Sequence, residues 1–264
     1  MSFPPSVLDR AADRDLGDPV RAFDGRAGLR RALVWAGLSV LAGLALLATL
    51  AGSLAAGRAE PALAAAILTI AYLAAAPRVV EAIGGRPSEL RARNTAVYLF
   101  TGGFVLETGR ETAVHPWDEL VSVTASGVRH AAQGRTRYRF LVGTVDGREI
   151  RLGDELPDVR ELGERVAAEV TRRVLPAQLA RVRAGEPVRV GPFTVDADGV
   201  AKEGERVPWP AVGEVGADNG VVYVHSRDEL RSLTAIAARM PNAVAFVQLC
   251  HRLAAGDREE SRGH

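Results

Sequence analysis

Apolar and polar positions change rhythm three times along the chain. Residues 1–25 follow no period and are rich in Asp, Arg, Pro and Gly. With no apolar face to bury, residues 1–27 read as a mobile N-terminal tail. Ala32 to Gly57 then runs without an ionisable side chain, and Pro61 to Pro77 does so again. A helix over the first run is about 39 Å long at ~1.5 Å per residue, more than the roughly 30 Å of a hydrocarbon core. The second run is at the short limit of a span, and Val79 and Val80 extend it if Arg78 snorkels. A soluble helix carries a polar face, which neither run has. A cleaved signal peptide has a shorter apolar region and does not follow a stretch with five aspartates. The pattern predicts a transmembrane helical hairpin over 28–80, turning at Arg58-Ala59-Glu60. Gly37, Ser39, Gly43, Ala64 and Ala65 are small enough to let its two helices approach closely.

From Asn94 the period shortens to that of strands. Val97–Phe100 and Phe104–Leu106 flank Thr101-Gly102-Gly103 as a β-hairpin. A strand opens at His115-Pro116-Trp117-Asp118-Glu119 and continues to Val123; two more cover Arg135–Val142 and Glu149–Leu152. Val159, Leu162, Val166, Val170 and Val174 then repeat at helical spacing, behind Pro157 and a capping box of Asp158 and Glu161. The same order occurs again. Phe193–Val195 and Val200-Ala201 flank Asp198-Gly199, Pro208-Trp209 repeats Pro116-Trp117, and strands come at 211–215, 221–225 and 233–236. Pro241-Asn242 opens a closing helix whose apolar face carries Phe246, Val247, Cys250 and Leu253. The second copy is shorter, and its losses fall in connections, where a repeated fold tolerates them. The expected fold class is α+β: a transmembrane hairpin followed by two units, 94–184 and 185–255, each a β-barrel or half-barrel closed by a helix. Residues 256–264 read as a disordered tail.

Tyr98-Leu99-Phe100, Gly103-Phe104-Val105, Pro116-Trp117-Asp118-Glu119-Leu120 and the two closing helices carry a resemblance over about residues 94–254. The chain resembles uncharacterised bacterial membrane proteins in which a short transmembrane hairpin precedes pleckstrin-homology-like (PH-like) domains. The resemblance implies a PH-like fold and carries no chemistry of its own.

Charge sets orientation and excludes some partners. Arg26, Arg30 and Arg31 precede the first apolar run and Arg78, Arg86, Arg91 and Arg93 follow the second, whereas the loop between has Arg58 alone. The positive-inside rule places both termini in the cytoplasm of a multi-pass cell-membrane protein. Trp35 fits an aromatic belt at that interface. Net charge is +1, and residues 94–264 hold 22 cations against 24 acids, so no nucleic-acid partner is expected. One cysteine excludes a disulfide framework, and the five histidines have no metal-ligand spacing. There is no phosphate loop, nucleophile elbow or His-Glu-x-x-His, so an enzyme, a cofactor and a metal are not expected.

Two polar or amphipathic features remain. Arg135, Arg137 and Arg139 alternate onto one face of one strand. They read either as a solvated edge or as a face for an acidic protein or anionic lipid. Trp117 and Trp209 read as structural anchors, or as interfacial contacts. The first-hairpin turns Thr101-Gly102-Gly103 and Ala197-Asp198-Gly199 have no cation, which argues against phosphoinositide recognition there. The function expected is a membrane-anchored, non-enzymatic scaffold or sensor for a protein, peptide or lipid. The alternative is an accessory subunit of an envelope transport or assembly complex.

Overall fold

A computed structural model of the chain describes residues 3–57, 63–64, 66–72, 74, 94–109, 111–130, 135–228 and 230–262. The chain divides into two compact units: Met1–Phe23, Tyr98–Val105 and Ala113–His264 form the larger, Asp24–Val97 and Leu106–Thr112 the smaller.

The larger unit begins where a mobile tail was expected. Pro5 sits in the first turn of helix α1 (Pro5–Ala12), where its missing N–H costs nothing, and strand β1 (Pro19–Asp24) comes next. Val7, Ala11, Leu16, Ala22 and Phe23 are buried, Phe23 to 1 % exposure. Their partners are remote in sequence, so no local period announces them. The amide N–H groups of Asp18 and Gly102 are satisfied by Thr101 Oγ1 and the Leu16 carbonyl, at 3.1 and 2.7 Å. Arg21 bonds to Asp158 at 3.2 Å and to Glu161.

Strands β2 (Thr95–Phe100), β3 (Gly103–Thr108) and β4 (Glu111–Pro116) join β1 in a sheet of order β1-β2-β3-β4. A 3₁₀ turn over Trp117–Glu119 leads into β5 (Leu120–His130), β6 (Arg135–Thr144) and β7 (Glu149–Leu152), a second sheet in that order. Helix α3 (Val159–Arg183) comes after it. The succession then recurs. β8 (Val188–Val190), β9 (Phe193–Val195), β10 (Gly199–Lys202) and β11 (Glu205–Pro208) make a four-stranded sheet. After a 3₁₀ turn over Trp209–Ala211 come β12 (Val212–Asp218), β13 (Val221–Ser226) and β14 (Ser232–Ile236) in a three-stranded sheet. A last helix, α4 (Ala243–Arg262), closes the chain.

The sheets are open, and none of the described strands closes a barrel. β4, β8 and β11 are strands that periodicity did not reveal, because two have only three or four residues and β4 alternates weakly in burial. The Pro-Trp segments are 3₁₀ turns between sheets rather than strand starts. α4 continues through Arg262, into the residues read as a tail.

α3 serves two cores. Its first half buries Val159, Leu162, Val166 and Val170. Gly163 lets Phe140 of β6 lie against the helix backbone, where a Cβ would be 2.2 Å from the ring. Its second half gives Leu175, Leu179 and Val182 to a core with Phe193, Trp209, Phe246 and Leu249. The expected boundary near Ala184 is therefore the end of a helix whose last turns already belong to the second core.

The smaller unit holds α2 (Arg26–Ala55), of which Gly37–Ala55 is long and apolar enough to cross a membrane and has no buried residue. Among the described residues it is the one such helix. The backbone at 63–64, 66–72 and 74 is helical as well. There the Tyr72 hydroxyl donates to the Ser39 carbonyl at 2.6 Å, and a Cβ on Gly43 would lie 2.9 Å from the Tyr72 ring. The rest of the second apolar run, with Arg78, Arg86, Arg91 and Arg93, lies outside the described residues. At the root of this segment the Gly25 N–H donates to the Thr95 carbonyl at 3.1 Å, and Arg26 pairs with Glu107 at 3.1 Å.

Candidate functional site

The two tryptophans occupy matching places. Each comes after a proline with extended backbone and opens a 3₁₀ turn, and each is 3 % exposed. Trp117 Nε1 donates to the Thr101 carbonyl at 3.1 Å; Trp209 Nε1 donates to the Asp196 carbonyl at 3.0 Å. Their backbone N–H groups reach Gly102 and Asp198 in the same two turns. Gly103 and Gly199 start the next strands at corresponding points. A Cβ would meet the His115 carbonyl oxygen at 2.4 Å in one and the Val207 carbonyl oxygen at 2.3 Å in the other. Burial and a satisfied indole N–H make these side chains part of the packing. They present no surface to a ligand.

The cationic face lies on the β5-β6-β7 sheet. Tyr138, Phe140, Val142 and Thr144 turn toward α3 or the interior, while Arg137 and Arg139 are exposed on the other side. The ladder sets Arg137 opposite Val128, Arg139 opposite Ser126, and Leu141 between Thr124 and Arg151. Arg151 thus joins Arg137 and Arg139 on this face, which the sequence did not reveal because only the strand register brings it there. Arg135 sits at the last pair of the ladder, opposite His130. Asp154 supplies a counter-charge: its carboxylate is 3.6 Å from Arg137 Nε and accepts the Tyr138 N–H at 3.0 Å. That second bond caps β6 beyond the point where β7 stops pairing with it. Arg160 of α3 lies over the Tyr138 ring, 5.6 Å from its centre.

The remaining reactive groups are dispersed. Cys250 is buried in the core of α4, which pushes its thiol far above the ordinary range and leaves it inert. His251 Nε2 lies 2.9 Å from the Val215 carbonyl, His225 stacks on Tyr223, and His115 packs on Phe104. Among the described residues no three His, Cys, Asp or Glu side chains gather as a metal site would require. An apolar hollow of about 40 Å³ lies between β5, α3 and the start of α4, lined by Val123, Ala167 and Val244. It is far below the roughly 300 Å³ of a small-molecule pocket. Asn242, at its rim, takes the place of an absent strand neighbour: its N–H donates to the Val123 carbonyl, its side-chain Oδ1 accepts the Val123 N–H, and its Nδ2 donates to the Val121 carbonyl.

No curated protein and no solved structure matches the chain. One protein family does, over residues 1–259, a stretch that takes in α1, β1, the apolar helix and both successions of sheets with nearly all of α4. The chain therefore belongs to a family of unknown function (DUF6585).

Proposed function

We propose that the chain is a membrane-anchored, non-enzymatic scaffold or sensor. A transmembrane hairpin holds a tandem PH-like module at the cytoplasmic face, where it meets a protein, peptide or lipid partner. The bond between Gly25 and Thr95 carries this reading. It brings the two ends of residues 26–94 together, so a chain that leaves through α2 must return. If Gly37–Ala55 crosses a bilayer, the number of crossings is even, and the return falls within residues 56–94. The Tyr72–Ser39 bond is what a helix running back along α2 would make. Arg26, Arg30 and Arg31 then put both ends on the cytoplasmic side. The PH-like reading is supported by seven strands in four-plus-three sheets followed by a helix, twice, with matching Gly, Pro and Trp positions. On this reading the hairpin is inserted between the first and second strands of the first module.

The test is topological. Tags at either terminus of the chain in intact cells are expected to resist external protease, and carbonate washing is expected to leave the protein in the membrane. Release by carbonate, or digestion of one tag but not the other, would overturn the reading. The alternative is an accessory subunit of an envelope transport or assembly complex, in which small residues such as Gly37 and Gly52 would let further helices pack against α2. Stoichiometric membrane partners in mild detergent would support that alternative.

A further inference from the structure

β5 is an end strand of its sheet, and its outer edge is only partly used. Asn242 donates its N–H to the Val123 carbonyl and accepts the Val123 N–H on Oδ1. Those are the two bonds that a residue pair exchanges in an antiparallel ladder. Val123 therefore turns its main-chain groups away from β6, and by alternation Ala125 and Gly127 do the same. The far side agrees: Tyr138, opposite Gly127, sends its N–H to Asp154 rather than to β5. Ala125 and Gly127 are exposed, and among the described residues no bond reaches their outward N–H and C=O groups. Exposed edges are ordinarily guarded by charge or proline, and Val121 to Gly127 has neither. In the second copy the matching edge is short. Val215 stands where Val123 does, its carbonyl lies beside His251, and β12 ends at Asp218.

We propose that the edge of β5 takes up an extended acidic peptide segment as an added antiparallel strand; the inference rests on the scaffold reading above and names its partner class. Ala125 and Gly127 offer the added strand donors and acceptors, and the two faces of the sheet select its side chains. On the α3 face, a residue opposite Ala125 lies over the hollow lined by Val123, Ala167 and Val244, which has room for one small apolar side chain. On the other face Arg139 stands opposite Ser126, and Arg151 opposite Leu141. Ser126 is small enough for Arg139 to reach across it toward a carboxylate on the added strand, roughly 10 Å from β6 at two strand spacings. Asp154 offsets part of the charge of Arg137. A second copy joined through the same edge would bring further arginines to this face in place of acids, so charge complementarity favours an acidic segment of another protein.

The experiment uses the full chain in mild detergent and two blocked, fluorescein-labelled peptides, Glu-Val-Glu-Val-Glu-Val-Glu and its counterpart with Lys for Glu. The Glu peptide is expected to bind, read as a rise in anisotropy, and to slow hydrogen exchange over residues 121–127. Valine faces the hollow in this pairing, and its N–H points at β5. N-methylation of the valines should therefore abolish binding, whereas N-methylation of the glutamates should leave it. Arg139→Glu should weaken the Glu peptide at least about tenfold and keep the parental melting temperature. Equal binding of the Lys peptide, an equal effect of the two N-methylations, or no binding at about 1 mM peptide overturns the inference. Slow exchange over 121–127 without peptide, in a chain that runs as a dimer, overturns it as well and gives the edge to a second copy. Carbonate release of a chain that still binds the peptide would overturn the membrane anchor and leave this site standing.

Discussion

Burial against the Phe104 ring, with centres 5.1 Å apart, makes the His115 imidazolium costly. Desolvation is the largest cause of its lowered pKa; Glu119 and Asp146 pull the other way, and Arg148 adds to the lowering. The unfolded chain therefore takes up this proton before the folded one does. The stability this residue contributes is present above the unfolded value of about 6.5. It is lost as pH falls through the lower folded value. Thermal melts between pH 7 and pH 5 should show a fall that is smaller in His115→Phe. An identical pH profile in the variant would assign the fall to other groups. Residues at matched positions carry matched strain: Asp158 and Asn242 precede α3 and α4 with φ of 50° and 57°, in the left-handed region that Asp and Asn tolerate best.

α3 is the element on which cooperativity depends. Leu175 and Leu179 are 3 % and 8 % exposed in the second core, whereas Leu162 and Val166 are fully buried on the first half of the same helix. Pro176 removes one N–H from the ladder between the halves, yet the helix runs on to Arg183. A helix packed at both ends transmits disorder from one end to the other. Leu175→Ala should cost about 2–5 kcal/mol and shift a single melting transition. Two separable transitions, with only the later one moved, would show the halves to be independent.

For the whole molecule, the order of strands has a folding consequence. β1 precedes the apolar helix and β2 comes after it, so the first sheet is completed only after residues 25–94 have been made and have come back. Phe23 and Leu16, each 1 % exposed, and the Arg21 ion pairs tie the start of the chain to the larger unit. Phe23→Ala should lower stability by about 3–5 kcal/mol. It should also open residues 3–24 to protease. An unchanged melt would return this segment to the status of a loose tail.

Short-range physics made much of the chain legible. The charge-free run over Ala32–Gly57, the continuous apolar stretches of β2 and β3, the alternation in β6 and the helical spacing from Val159 are patterns local to single elements. The recurrence of Pro-Trp at 116–117 and 208–209 was legible for the same reason, and Arg137 and Arg139 lie on the strand face that alternation assigns them. Tertiary structure decided what depends on partners far away in sequence. Residues 5–24 became a helix and an edge strand because their apolar side chains found cover on strands about 80 residues later. Arg151 joined the cationic face through register alone. The last turns of α3 went to the second core because Leu175, Leu179 and Val182 meet Phe193 and Phe246 only once the chain has folded back. A period shows which face of an element is apolar; which surface that face meets is fixed by long-range packing.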